Sequence, residues 1–137
     1  MNQIPKIHGL VHQAQPTNKT CVQTCIAMAI GVPVNDVIVR YGGEGLHHDT
    51  LLRALTECGV VWNQLVHNRI FFPGWYFAAV PSLNHRGVFH QILMHWTPDT
   101  GTQVLDPAVG DRYKHDGTDL ISWECPIPFI PGGKLPL

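Results

Sequence analysis

Up to Gly59 the apolar positions recur at helical spacing, and beyond it they fall into short β-branched and aromatic runs. Cys21 to Ala29 is apolar nearly all round, with Val22, Cys25, Ile26, Met28 and Ala29, continues into Ile30, and is followed by Gly31, a residue suited to a left-handed cap. That pattern predicts a helix buried in the middle of a domain. Pro33 opens a second helix, in which Val34, Val37, Ile38 and Tyr41 share a face before Gly42-Gly43 stops it. Asp49 or Thr50 can cap a third, where Leu51, Leu52, Leu55 and Cys58 line one side and Gly59 closes the end.

The strand-like runs are Val60 to Trp62, Tyr76 to Val80, Val88 to Trp96, Gln103 to Leu105 and a weaker Trp123 to Ile130. Thr97-Pro98-Asp99-Thr100-Gly101 is strong turn chemistry and predicts an antiparallel hairpin between the third and fourth runs. Pro126, Pro128, Pro131 and Pro136 predict an edge segment or an extended tail over 126–137, and residues 1–14 read as an irregular arm. Helices first and strands afterwards is the order of an α+β domain. With no internal repeat or low-complexity tract, the 137 residues read as one domain.

Composition narrows the function. The chain is 45% hydrophobic and 14% charged, with a formal net charge of -1, which argues against a nucleic-acid or anionic-membrane surface. The N-terminus has no apolar signal region and no run approaches the length of a membrane span, so a cytoplasmic protein is expected. Cys21, Cys25, Cys58 and Cys125 are then expected as free thiols. Nine histidines, among them His47-His48 and the scattered His8, His12, His67, His85, His90, His95 and His115, invite a metal reading, but no ligand spacing supports one. No metal or organic cofactor is expected.

The chemistry is concentrated where Gln15-Pro16-Thr17-Asn18-Lys19-Thr20 runs into Cys21. The first N–H groups of a helix lack intrahelical partners and its dipole end is positive, so Cys21 at that end favours a thiolate and is the best nucleophile candidate. Gln15, six residues earlier, can add a side-chain amide to the Cys21 N–H as a second donor to a developing oxyanion. The hairpin turning near Asp99 brings His90 close to Asp106 on the neighbouring strand. A carboxylate there fixes the imidazole tautomer, and the imidazolium lowers the pKa of a nearby thiol. Cys25, Cys58 and Cys125 read as small core residues, and His95 falls on the face opposite His90. Trp62, Trp75, Trp96 and Trp123 read as core or cleft wall.

Gln15 to Cys21, the helix Cys21 to Ala29, His90-Gln91-Ile92-Leu93 and Leu105-Asp106-Pro107-Ala108-Val109-Gly110 together resemble the papain-like cysteine peptidases, most of all the bacteriocin-processing C39 and C39-like branch. Gly45 to Gly59 resembles that family's small helix, so the likeness runs from Gln15 to Gly110. It implies a papain-like fold, with Cys21 as nucleophile, His90 as base, Asp106 as its orienter and Gln15 in the oxyanion hole. The implied substrate is a protein or peptide. Val22 stands where the family usually has Gly after the nucleophile, a change that bears on substrate choice. Many family members are domains of peptide-exporting transporters that cut after a Gly-Gly leader, and with no transporter segment in this chain that biology is not carried over. Glutamine deamidation or acyl transfer by the same residues stays open, as does a non-catalytic binding protein that keeps the fold as an inhibitor or effector. A zinc site using Cys21, Cys25 and a histidine ranks last, because Cys-x3-Cys along one helix is not a usual ligand spacing.

Overall fold

A computed structural model describes residues 6–64, 72–83, 87–115 and 124–136. Within them lie three helices, α1 (Cys21–Ile30), α2 (Val34–Tyr41) and α3 (His48–Glu57), and seven strands. The strands are β1 (Lys6–Ile7), β2 (Leu10–Val11), β3 (Val61–Trp62), β4 (Gly74–Pro81), β5 (Phe89–Thr97), β6 (Gly101–Leu105) and β7 (Glu124–Ile130). The first two pair with each other, and the other five form one antiparallel sheet in the order β3-β7-β4-β5-β6. The architecture is mixed α+β.

α1 is the central helix. Its residues Gln23 to Ala29 are all buried, and it ends where Gly31 turns left-handed at φ 75° and donates its N–H to Ala27 O at 2.9 Å. Its apolar side chains Cys25, Ile26 and Met28 belong to one core with Phe77, Leu93 and Ile127 of the sheet. The opposite sheet face buries a second cluster of Tyr76, Ala78, Val80, Ile92 and Met94. Because both faces of β4 and β5 are buried, their sequences read as continuous apolar runs and not as a strict alternation. Among the described residues no single helix is long and apolar enough to cross a membrane.

Four expectations need correction. The arm is not irregular throughout, since β1 and β2 form a small hairpin about Gly9, at φ 87°, and Leu10 enters the core. α3 begins at His48 with His47 at its cap position, so Asp49 and Thr50 lie inside the helix. The proline-rich segment is not an edge. β7 lies between β3 and β4, because Pro128 needs only its carbonyl there, which accepts the Asn63 N–H at 3.1 Å. The register breaks between Phe77 and Ala79, and this bulge takes up Pro126 and places Cys125 at φ 48°. That left-handed turn makes Cys125 exposed and not a core residue, whereas Cys25 and Cys58 are buried as expected.

The segment after β7 is tied to the helices. Gly132 donates to Ala29 O at 3.1 Å, Lys134 donates to Cys58 O at 2.9 Å, and Leu135 packs against the main core. Gly133, at φ 86°, passes so close that an added Cβ would lie 2.3 Å from Cys58 O. Trp75 is buried against His95 and Phe129, while Trp62 and Trp96 are half-buried. Trp123, His67 and His85 fall outside the described residues.

Candidate active site

The site forms where the first turn of α1 meets the start of β5. The Cys25 thiol, one turn into the helix, donates to Gln91 O at 3.4 Å, and this pins the head of α1 across from His90. β5 and β6 pair from Thr97↔Gly101 to Leu93↔Leu105, so Asp106 leaves the end of β6 beside His90 as the hairpin predicts. The two side chains meet at 2.6 Å from Nε2 to Oδ1. An ionised carboxylate only accepts, so Nε2 carries the proton it donates. The other ring nitrogen, Nδ1, is then the one left for the hydrogen bond between His90 and Cys21. Cys21, His90 and Asp106 form one connected set.

Asp106 is 2% exposed, and its carboxylate is fully engaged. Oδ1 also accepts the Ala108 N–H at 2.8 Å, and Oδ2 accepts the His115 N–H at 2.8 Å. The Ala108 contact is turn-opening chemistry, so one residue both starts the loop and orients the imidazole. Burial alone would raise the Asp106 pKa, but the His90 hydrogen bond and charge, with the two backbone donors, hold it below the usual carboxylate value. For His90, burial disfavours the cation, yet the Asp106 and Cys21 hydrogen bonds and their charges raise its pKa to about 9. Burial of the Cys21 thiol opposes its ionisation. The His90 hydrogen bond, the Gln91 N–H, the His90 charge and the Val22 N–H outweigh that and lower its pKa.

Gln15 reaches the site through its backbone. Its N–H donates to Pro107 O at 2.8 Å, which ties its loop to the one that follows Asp106, and its side chain lines a cavity of about 220 Å³ together with Cys21 and His90. One N–H of its amide goes to Thr17 O at 2.9 Å, and an amide nitrogen has a second to give. Thr20, at the cap position of α1, makes no side-chain cap, because its hydroxyl turns back onto Thr17. The helix head is therefore left open for an external acceptor.

Three side chains that the sequence did not single out for this work support the site. His12 donates from Nε2 to Asp106 O at 2.6 Å, fixing the main chain of the orienter. Gln13 bridges Val32 O and the Val34 N–H at 2.7 and 2.9 Å and so caps α2 from outside. Gln23, fully buried, donates to Gly42 O at 2.9 Å and Glu44 O at 2.7 Å, holding the loop that leads into α3. Only Gln23 carried a legible signal, as a long polar side chain on a mostly apolar helix. A second, larger cavity of about 840 Å³ opens between that loop and β5 and also contains Cys21 and His90.

His95 lies away from the site, stacked on His8 with ring centroids 3.8 Å apart, as the odd spacing from His90 requires. Among the described residues no group of three or more His, Cys, Asp or Glu side chains is placed to hold a metal ion. Compared with protein-family models and with curated proteins, the chain matches none.

Proposed function

We propose that this chain is a cysteine peptidase of papain-like fold, similar to the C39-like branch, that hydrolyses an amide bond in a protein or peptide. The observation that carries the reading is that His90, bonded to Asp106 at 2.6 Å, faces the Cys21 thiol at the head of a buried helix and shifts its pKa down. A lowered thiol beside an imidazole raised to about 9 favours the thiolate–imidazolium pair near neutral pH.

The Cys21 thiolate attacks the amide carbonyl carbon, and the carbonyl electron pair moves to oxygen. The oxyanion takes the Cys21 N–H and the second N–H of the Gln15 amide, whose first goes to Thr17 O. The intermediate collapses, the C–N bond breaks, and the His90 imidazolium gives its proton to the departing amine. A thioester on Cys21 remains. Neutral His90 then takes a proton from water as that water attacks the thioester, and the acid leaves as the thiolate is restored. Asp106 stays ionised throughout and holds the ring.

The test is the pH dependence of Cys21 alkylation by iodoacetamide, read by mass spectrometry with Cys58 as the internal reference. Since the Cys21 pKa is lowered, fast labelling persists below the range of an ordinary thiol and falls only as pH drops through that lowered value. Cys58, pushed up by burial, reacts slowly throughout. Equal, thiol-like profiles for the two cysteines would sink the proposal. In parallel, Cys21→Ala abolishes turnover of a peptide substrate while the fold is kept. Ammonia release without chain cleavage would redirect the same residues to deamidation.

A further inference from the structure

Strand pairing stops short of Asp106. The β5–β6 ladder closes at Leu93↔Leu105, so Asp106 lies one residue past its last rung, whereas His90 is held within the sheet by its pairing with Val80 on β4. β6 is an outer strand, so no further strand of the sheet steadies its end. The Asp106 carboxylate has its own supports. The Ala108 N–H comes from the turn that Asp106 itself opens, and the His115 N–H comes from a residue whose ring donates to Pro81 O on β4 at 2.9 Å. Its main chain is held from a different part of the molecule.

The chain from His12 to Gln15 makes two contacts to it. His12 donates from Nε2 to Asp106 O at 2.6 Å, and the Gln15 N–H goes to Pro107 O at 2.8 Å. Pro107 has no N–H, so Asp106-Pro107 meets this segment through its carbonyls, and the segment answers with one side-chain and one main-chain donor. Asp106 is 2% exposed, which leaves little water to replace His12 at that carbonyl. The segment is itself anchored, by Leu10 in the main core and by Gln13 on Val32 O and the Val34 N–H. Resting on the reading of Cys21, His90 and Asp106 as the reacting set, we propose that His12 is a positioning residue for His90, acting through the main chain of Asp106. It lines neither cavity at Cys21, so it acts without touching substrate. Without it the Asp106–Pro107 peptide is free to turn, and the carboxylate's bond to His90 Nε2 weakens. The same segment carries Gln15, which puts the oxyanion donor and the orienter in one frame.

The test titrates His90 by histidine NMR in the full chain and in His12→Leu, His12→Gln and His12→Asn, with the pH profile of Cys21 alkylation by iodoacetamide read alongside. In His12→Leu the His90 pKa falls from about 9 by roughly one pH unit, and the Cys21 profile moves to higher pH. His12→Gln, whose amide reaches about as far as the imidazole Nε2, restores the parent values. His12→Asn keeps a donor but lacks the reach, so it behaves as His12→Leu does and serves in its place if that variant does not fold. His8→Asn removes the stack on His95 from the same arm and suits the φ of 46° there, and it leaves both readings unchanged. A parent-like His90 pKa in folded His12→Leu or His12→Asn overturns the inference. So does an equal fall in His8→Asn, which would make the whole arm a brace and His12 nothing special. The underlying reading fails separately: if Cys21 and Cys58 label alike in the parent while the His90 pKa still follows His12, the nucleophile is rejected and the positioning stands.

Discussion

Cys21 and Cys25 stand one turn apart on the same helix and are chemically identical, yet the structure sends their acidities in opposite directions. Cys21 occupies the first turn, where burial is outweighed by the His90 imidazole and by the N–H groups of Gln91 and Val22. Cys25 is fully buried, its thiol donates to Gln91 O, and burial together with the negative charges of Cys21 and Asp106 pushes it well above the ordinary thiol range. The difference is one of available donors. Peptide N–H groups at a helix head stabilise an anion, whereas a turn deeper the same groups are spent on the helix. Cys25 also ties α1 to β5, through its bond to Gln91 O at 3.4 Å.

The largest change to this contrast comes from Asp106→Asn. The substituted amide cannot hold His90 in the required tautomer or stabilise its cation, so turnover falls by about 10⁴-fold. The His90 pKa drops from about 9 towards about 6.5, the ordinary imidazole value. The Cys21 alkylation profile then moves towards that of Cys25, and histidine NMR titration follows the imidazole directly. A His90 pKa that stays near 9 in this variant would separate Asp106 from the site.

Gln15→Ala is next in size. It removes one oxyanion donor while leaving the thiolate–imidazolium pair intact, so turnover falls by about 10² to 10³-fold with the alkylation profile unchanged. That split between turnover and alkylation is the signature of a group that acts only on the intermediate. Equal turnover in the variant and the parent would leave the Cys21 N–H as the oxyanion donor without Gln15.

The smallest effect is expected from Cys25→Ala, which removes one buried sulfur and a weak hydrogen bond. Its cost is about 1 kcal/mol, measured by urea denaturation. In the parent chain Cys25 resists alkylation until denaturant is added. Labelling of Cys25 in the native state at a rate near that of Cys21 would break the comparison outright.

The meeting of Cys21, His90 and Asp106 was legible in the sequence because each of the three follows a local rule. Cys21 follows a polar loop and precedes an apolar helix closed by Gly31, and the hairpin turn at Thr97 to Gly101 fixes which residues of β5 and β6 meet. His90 and Asp106 therefore come together without any long-range knowledge. The position of β7 was hidden for the opposite reason. Proline forbids a donor but leaves an acceptor, and whether Pro128 lies at an edge depends on which strands lie beside it. Cys125 misled in the same way, since its exposure comes from a bulge set by the pairing of β7 with β4. His12 carried no signal, because its partner is a backbone carbonyl 94 residues away.

The insertion of β7 between β3 and β4 bears on the order in which the molecule is built. Among the described strands β3 pairs only with β7, and β7 is the last to emerge during synthesis. The β4-β5-β6 meander, which carries His90 and leads into Asp106, consists of near neighbours and can assemble early. Joining it to β3 and the end of α3 requires closing a loop of more than sixty residues through Val61↔Ile130. A nascent chain therefore exposes the open edge of β4 until β7 has emerged, and that edge is where premature pairing with another chain would begin.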